Sequence, residues 1–339
     1  MNIFRIVQKR TNKRKYGENP YREIPAVLLF VFLLPYVISC LWGHNGEEAD
    51  VFYQTEADGP EWLDGRYEVA ISGNWGKKRM TMQEYLILKL EMVMPAEQYG
   101  ISYELEALKA QAVLLRTELW EYFIAREIPA DEPPVLQEEA LLHQDGDAER
   151  EENENLYRQA VLETDGIFLA YADRPVKAAF FPVSNGRTRN AEEALQSENY
   201  PYLLSVECGQ DIMAESYQSQ VVLSKEEYCA MAAPLFAVNG ADEELWDGLE
   251  FLYDSAGYVM EVSFRGSGCN GETFRYALGL GSASFRADWG ENEVTFYVKG
   301  MGHGFGMSQY GANRKAMEGE TFDNILRDYF FQAELVKIE

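Results

Sequence analysis

Hydrophobic and polar positions follow three different rhythms along this chain. Residues 24–43 (IPAVLLFVFLLPYVISCLWG) hold no charge at all, and about 20 apolar residues suffice to span a bilayer. Residues 67–72 (YEVAIS) alternate as a strand does, and Gly73, Asn74 and Gly76 mark a turn after them. Helical spacing begins at Thr81. With Glu84 three residues on it makes a capping box, and Tyr85, Leu86, Leu88, Leu90 and Met92 follow before Met94-Pro95 breaks the pattern. A longer helix is predicted over 104–126. Its Leu105, Leu108, Ala112, Leu115, Leu119 and Phe123 recur at three- and four-residue spacing and form one buried stripe. Lys109 and Arg116 lie seven apart and share a face, where simple solvation is the plain alternative; Gln111 lies elsewhere on the cylinder.

Residues 127–155 carry Pro129, Pro133, Pro134 and many acids, the signature of an exposed insertion or a partly disordered loop. A helix over 156–164 is expected to end at Gly166. Residues 167–171 and 176–181 read as a hairpin around Asp173-Arg174-Pro175, and Ser184 to Thr188 as a polar turn. Further on, 224–236 reads as a short capped helix, 249–253 and 259–264 as strands about Ser255-Ala256-Gly257, and 271–280 as a capped helix. Residues 294–298 suggest a strand, and 312–318 and 321–330 helices. Helices and strands are mixed throughout, so a mixed α/β (α+β) domain is expected over 66–339.

Charge divides the chain further. The 339 residues carry a net charge of −26, which repels phosphate and excludes nucleic acid as an expected partner. Residues 1–23 run the other way, with Arg5, Lys9, Arg10, Lys13, Arg14, Lys15 and Arg22, while Glu47, Glu48 and Asp50 follow the apolar run. This asymmetry predicts a cytoplasmic tail (1–23), a single membrane anchor (24–43), an acidic tether (44–65) and an extracytoplasmic domain. A cleaved signal peptide fits less well, since both its segments are long for one. Val37-Ile38-Ser39-Cys40 also resembles a lipoprotein cleavage box, so lipidation at Cys40 is a second alternative. Cys208, Cys229 and Cys269 form no CxxC pair and have no histidine at ligand spacing, so neither metal nor cofactor is expected. One disulfide with one free thiol is compatible with their number, and the sequence does not choose the pair.

The candidate chemistry centres on Gly300-Met-Gly-His-Gly-Phe-Gly-Met-Ser-Gln-Tyr-Gly-Ala312. It holds one of only three histidines, His303, with Ser308, Gln309 and Tyr310 just beyond. Glycines let backbone approach backbone or ligand closely, so the loop reads as a polar site; a Gly-rich turn whose histidine merely packs is the alternative.

Several segments together resemble the stage II sporulation protein D (SpoIID/LytB) family. They are Glu106 to Thr117 (EALKAQAVLLRT), Ala160 to Gly166 (AVLETDG), Ser184 to Thr188 (SNGRT), Phe274-Arg275 through Leu278-Gly-Leu280 to Phe285, and Gly302 to Ala312 with Ile325, Leu326 and Tyr329. The resemblance implies a membrane-anchored cell-wall protein acting on peptidoglycan glycan strands during engulfment in sporulation. Active members are lytic transglycosylases, others resemble enhancers of a cell-wall amidase, and the implied partners are such an amidase and a multi-span membrane protein. It also implies a substrate groove of Lys109, Gln111, Arg116, Thr117, Ser184, Thr188, Ser308, Gln309 and Tyr310. Two departures stand out. The family's Glu-Met-Pro reads Val93-Met94-Pro95, and its Tyr-His-Ser reads Phe180-Phe181-Pro182. Valine cannot do general acid–base work. Glu91 lies two residues before Val93 and should point elsewhere on the helix, so Glu97, past the proline, is the better substitute acid, with His303 as a proton-transfer group. A divergent lytic transglycosylase is thus one expectation, and a non-catalytic peptidoglycan-binding or amidase-enhancing protein the other.

Overall fold

The computed structural model describes residues 68–73, 76–95, 102–125, 135–137, 148–238, 245–246 and 248–337, all within the unit Gly46–Glu339. The expected tail, anchor and tether, Cys40 and Glu97 lie outside the described residues. Among the described residues no helix is long and apolar enough to cross a membrane.

Strands β1 (Glu68–Gly73) and β2 (Gly76–Thr81) form an antiparallel hairpin, with Val69 opposite Met80 and Ile71 opposite Lys78. The capping box forms as expected. The Thr81 hydroxyl accepts the Glu84 N–H and the Glu84 carboxylate accepts the Thr81 N–H, which satisfies two end groups of helix α1 (Met82–Val93). Helix α2 (Leu105–Ala125) is the central rod. It packs against α3 (Ala148–Glu163), strand β4 (Ile167–Tyr171), and the two C-terminal helices, α7 (Gln309–Met317) and α8 (Phe322–Tyr329).

Two described parts of the acidic insertion form regular elements. Strand β3 (Val135–Gln137) adds to β1 in parallel, and α3 begins at Ala148, eight residues before the expected 156. Acidic residues at a helix start complement the positive end of the helix dipole, so charge density alone does not stop a helix there. The expected 167–181 hairpin is also different. Its second strand is only β5 (Arg174–Pro175), while β6 (Phe180–Phe181) pairs in parallel with β13 (Met307–Ser308). A strand two residues long leaves no alternation to read.

The C-terminal half adds α4 (Ala191–Leu195), then sheet β11–β12–β7, from β7 (Gln218–Ser224), β11 (Phe285–Trp289) and β12 (Glu293–Lys299). A second sheet, β10–β9–β8, comes from β8 (Glu250–Tyr253), β9 (Val259–Phe264) and β10 (Ser267–Asn270). Helices α5 (Lys225–Ala232) and α6 (Gly271–Ala277) cover them. Phe251, Phe274, Phe285 and Phe296 interlock here at centroid distances of 5.6–6.2 Å, and each fully buried ring contributes about 1.5–3 kcal/mol. Strand β14 (Glu334–Lys337) pairs with β4 and closes the chain. The candidate site sits away from this aromatic core, where α1, α2, the β6–β13 pair and the start of α7 meet.

Candidate functional site

The C-terminal loop is held by the backbone it approaches. Gly306 lies at φ +71°, and a Cβ there would stand 2.1 Å from the Ala179 carbonyl oxygen. Only glycine permits that contact, and it lets β13 run alongside β6. Ser308 then caps α7, its hydroxyl accepting the Gly311 N–H at 3.2 Å. That cap presents Gln309 toward α1 and α2.

Three nodes result. In the first, Gln309 Nε2 donates to the Val93 carbonyl and to Gln111 Oε1, both at 3.1 Å. Val93 is 1% exposed and both glutamines are fully buried. Because Gln309 Nε2 is committed to two acceptors, the orientation of both amides is fixed. Gln111 Nε2 and Gln309 Oε1, one donor and one acceptor, are left with no partner. An amide offers no titratable proton, so this node cannot do acid–base work.

Asp211 forms the second node. One carboxylate oxygen, Oδ2, accepts the Ser184 N–H at 2.7 Å and the Ser308 hydroxyl at 2.6 Å, while Oδ1 has no partner. Burial raises this carboxyl above its ordinary range, against the pull of its serine donors. Asp211 thus ties the Ser184–Thr188 turn to the C-terminal loop. Sequence reasoning missed it: a lone aspartate between Gln210 and Ile212 carries no pattern.

His303 is the third. Its Nδ1 accepts the Phe305 N–H at 3.0 Å, which places the neutral ring's proton on Nε2. The ring lies between Phe181 (5.6 Å) and Phe305 (5.9 Å). Burial lowers its pKa to about 4, although the Glu272 carboxylate opposes that, so His303 is neutral at pH 7. The expectation of proton transfer near neutral pH does not fit this setting. Beneath the loop, Arg189 joins Asp254 (2.6 Å) and Glu272 (3.4 Å), and Glu272 joins Arg275 (2.5 Å). Arg189 also lies over the rings of Phe305 and Tyr258, at 4.7 and 5.1 Å. Two cations and two carboxylates neutralise one another and clamp three segments together.

The other expected site residues are spent on the fold. Arg116, also fully buried, donates to the carbonyls of Thr164 (2.7 Å), Ile167 (3.0 Å) and Val161 (3.1 Å). It satisfies the open C-terminus of α3, which has no lysine or arginine in its last turn. Lys109 does share a face with Arg116, but α3 covers that face. Its ammonium lies 2.7 Å from Glu106 and 2.6 Å from Glu163. Burial lowers its pKa, the two carboxylates outweigh that, and the net shift is upward. The Thr117 hydroxyl donates to Val113 O and accepts the Leu169 N–H; that of Thr188 donates to Leu204 O and accepts the Val206 N–H. Tyr310 packs with Val183 and Ala214. The structure therefore joins Gln111 to Gln309 and Ser184 to Ser308, and separates Lys109, Arg116, Thr117 and Thr188 from them as structural groups.

Known proteins share this arrangement of sequence. Residues 75–171 match the Stage II sporulation protein (SpoIID) family. Stage II sporulation protein D of Bacillus subtilis (strain 168) is 30% identical over 270 residues, covering 76% of this chain and 75% of the relative. The chain belongs to the stage II sporulation protein D family. Its namesake from Bacillus amyloliquefaciens is also 30% identical, over 271 residues with the same coverage. Membership makes this a sporulation protein, and its Val93 node can be read within the family.

Proposed function

We propose that this protein is a membrane-anchored, non-cleaving member of the stage II sporulation protein D family that binds peptidoglycan glycan strands. One observation carries the reading. Val93, at the position of the family's expected acid, is buried, and its carbonyl accepts the Gln309 amide, which also donates to Gln111. Cutting a glycosidic bond requires a group that gives up a proton and takes one back. His303, with its pKa near 4 and a committed Nδ1, does not suit that task at neutral pH.

Binding needs less. The turn from Ser184 to Thr188 is pinned from below by Asp211 and by the Asn185 amide, which donates to Ala256 O and Ser284 Oγ, and it presents Gly186 and the half-exposed Arg187, whose guanidinium pairs with the exposed Glu207. A rigid turn with a guanidinium that already holds an exposed carboxylate suits exchange of that partner for a muramyl carboxylate. The role that follows is presentation of denuded strands in the engulfment of the forespore, beside an amidase and a multi-span membrane protein. Co-sedimentation of the full chain with peptide-stripped glycan tests it. Retention of wild type and at least about tenfold weaker retention of Arg187→Glu are expected; no retention of wild type overturns the reading.

A further inference from the structure

Strand β7 is the outer strand of the sheet ordered β11–β12–β7, and its sequence, QSQVVLS, holds no charge, proline or glycine. Its register against β12 runs unbroken from Gln218 opposite Lys299 to Ser224 opposite Glu293. The hydrogen bonds of β12 alternate in direction. The Lys299 N–H donates to Ser284 O and the Glu293 carbonyl accepts the Gly290 N–H, both on the β11 side. Val298, Phe296 and Val294 therefore bond to Ser219, Val221 and Leu223 of β7. The Gly300 N–H to Tyr217 O and the Lys225 N–H to Asn292 O continue that ladder at its two ends. The N–H and C=O groups of Gln218, Gln220 and Val222 thus point away from the sheet. These three residues are exposed, and among the described residues none hydrogen-bonds to their outward groups. Charge, proline or a bulge normally guards such an edge. The outer strands β2, β11 and β14 carry Lys77, Lys78 and Arg79, Arg286 and Asp288, and Glu334 and Lys337. Strand β7 carries no such guard.

We infer that β7 is a dimer edge, pairing antiparallel with β7 of a second copy of this chain to join two sheets into one. The strand's own sequence selects the occupant. With the two-fold axis at Gln220, that residue faces its counterpart and Gln218 faces Val222. All three outward residues then pair, each pair exchanging two backbone hydrogen bonds. A shift of two residues one way engages Ser224, whose N–H already donates to Glu227; the other way it engages Ser216, outside the strand. No like charges meet along the strand, which matters for two copies that each carry a net charge of −26. Just beyond the strand ends, the same register sets Lys225 of one copy against Glu215 of the other. The contact uses the same strand on both copies, so it closes at two.

Sedimentation velocity of the full-length protein in a neutral detergent reads the number of copies. Wild type is expected to sediment as two. Gln220→Lys sets one lysine directly opposite another and should weaken association at least about tenfold, with the melting temperature of the single copy unchanged. Mild oxidation reads the register. Gln220→Cys should give a covalent dimer well above the wild-type background, because directly opposed residues lie within disulfide reach; Gln218→Cys should not. The amides of Gln218, Gln220 and Val222 should exchange with deuterium slowly in wild type and fast in Gln220→Lys. A single-copy wild type overturns the proposal. So does a dimer indifferent to Gln220→Lys, or one cross-linked through Gln218→Cys instead of Gln220→Cys. Slow exchange of those amides in single copies assigns the edge to another segment of the same chain, and also overturns it.

Discussion

Arg116 and His303 illustrate how the most suspicious polar residues of a sequence become parts of its frame. Arg116 gives its charge to three carbonyls at the end of α3, and burial lowers its pKa only to about 10, so it stays charged at neutral pH. Arg116→Met would leave those carbonyls without a donor. It should destabilise the fold by about 3–5 kcal/mol in urea titrations, far more than an exposed substrate-binding arginine could. His303 makes a pH-dependent contribution. Its folded pKa of about 4 lies below the ordinary 6.5, so between those values the unfolded chain binds more protons. The contribution is complete above about pH 6.5 and declines as pH falls toward 4, by about 3 kcal/mol in all. His303→Gln should flatten that part of the stability–pH curve; an unchanged slope would show that the ring titrates normally in the folded state.

Elements were legible in proportion to their length and caps. The Thr81–Glu84 and Ser224–Glu227 boxes, the stripe on α2 and the β8–β9 pair could all be read from spacing and side-chain chemistry. The β6–β13 pair could not, being two residues per strand and joined across more than a hundred positions. Nor could the Asp211 node, which depends on where a single carboxylate lands. Lys109 and Arg116 were placed correctly on one face, but the sequence did not reveal that α3 covers it. At this scale the loops depend on their pins. Asp211→Ala strands the Ser184 N–H and the Ser308 hydroxyl and should cost about 2–4 kcal/mol. Asp211→Asn keeps one acceptor and should cost less than half as much, both by denaturant titration. Gly306→Ala drives a methyl into the Ala179 carbonyl at a positive φ and should lower the melting temperature by several degrees.

At the scale of the whole molecule, the chain keeps its family's sequence over 76% of its length, and the proposed function turns on Val93 standing where the resemblance leads one to expect an acid. The amide pair at Val93, the Asp211 pin and the clamp beneath His303 hold the same loops together whether or not a proton is available. On the proposed reading this frame recognises a glycan without cleaving it. The most direct measurement is incubation of the full chain with peptide-stripped glycan strands, scored by mass spectrometry for 1,6-anhydro ends. Wild type should produce none above the no-protein control while still sedimenting with the strands. Anhydro products from wild type that disappear in Glu97→Ala would contradict the account and restore a cleaving enzyme with a relocated acid.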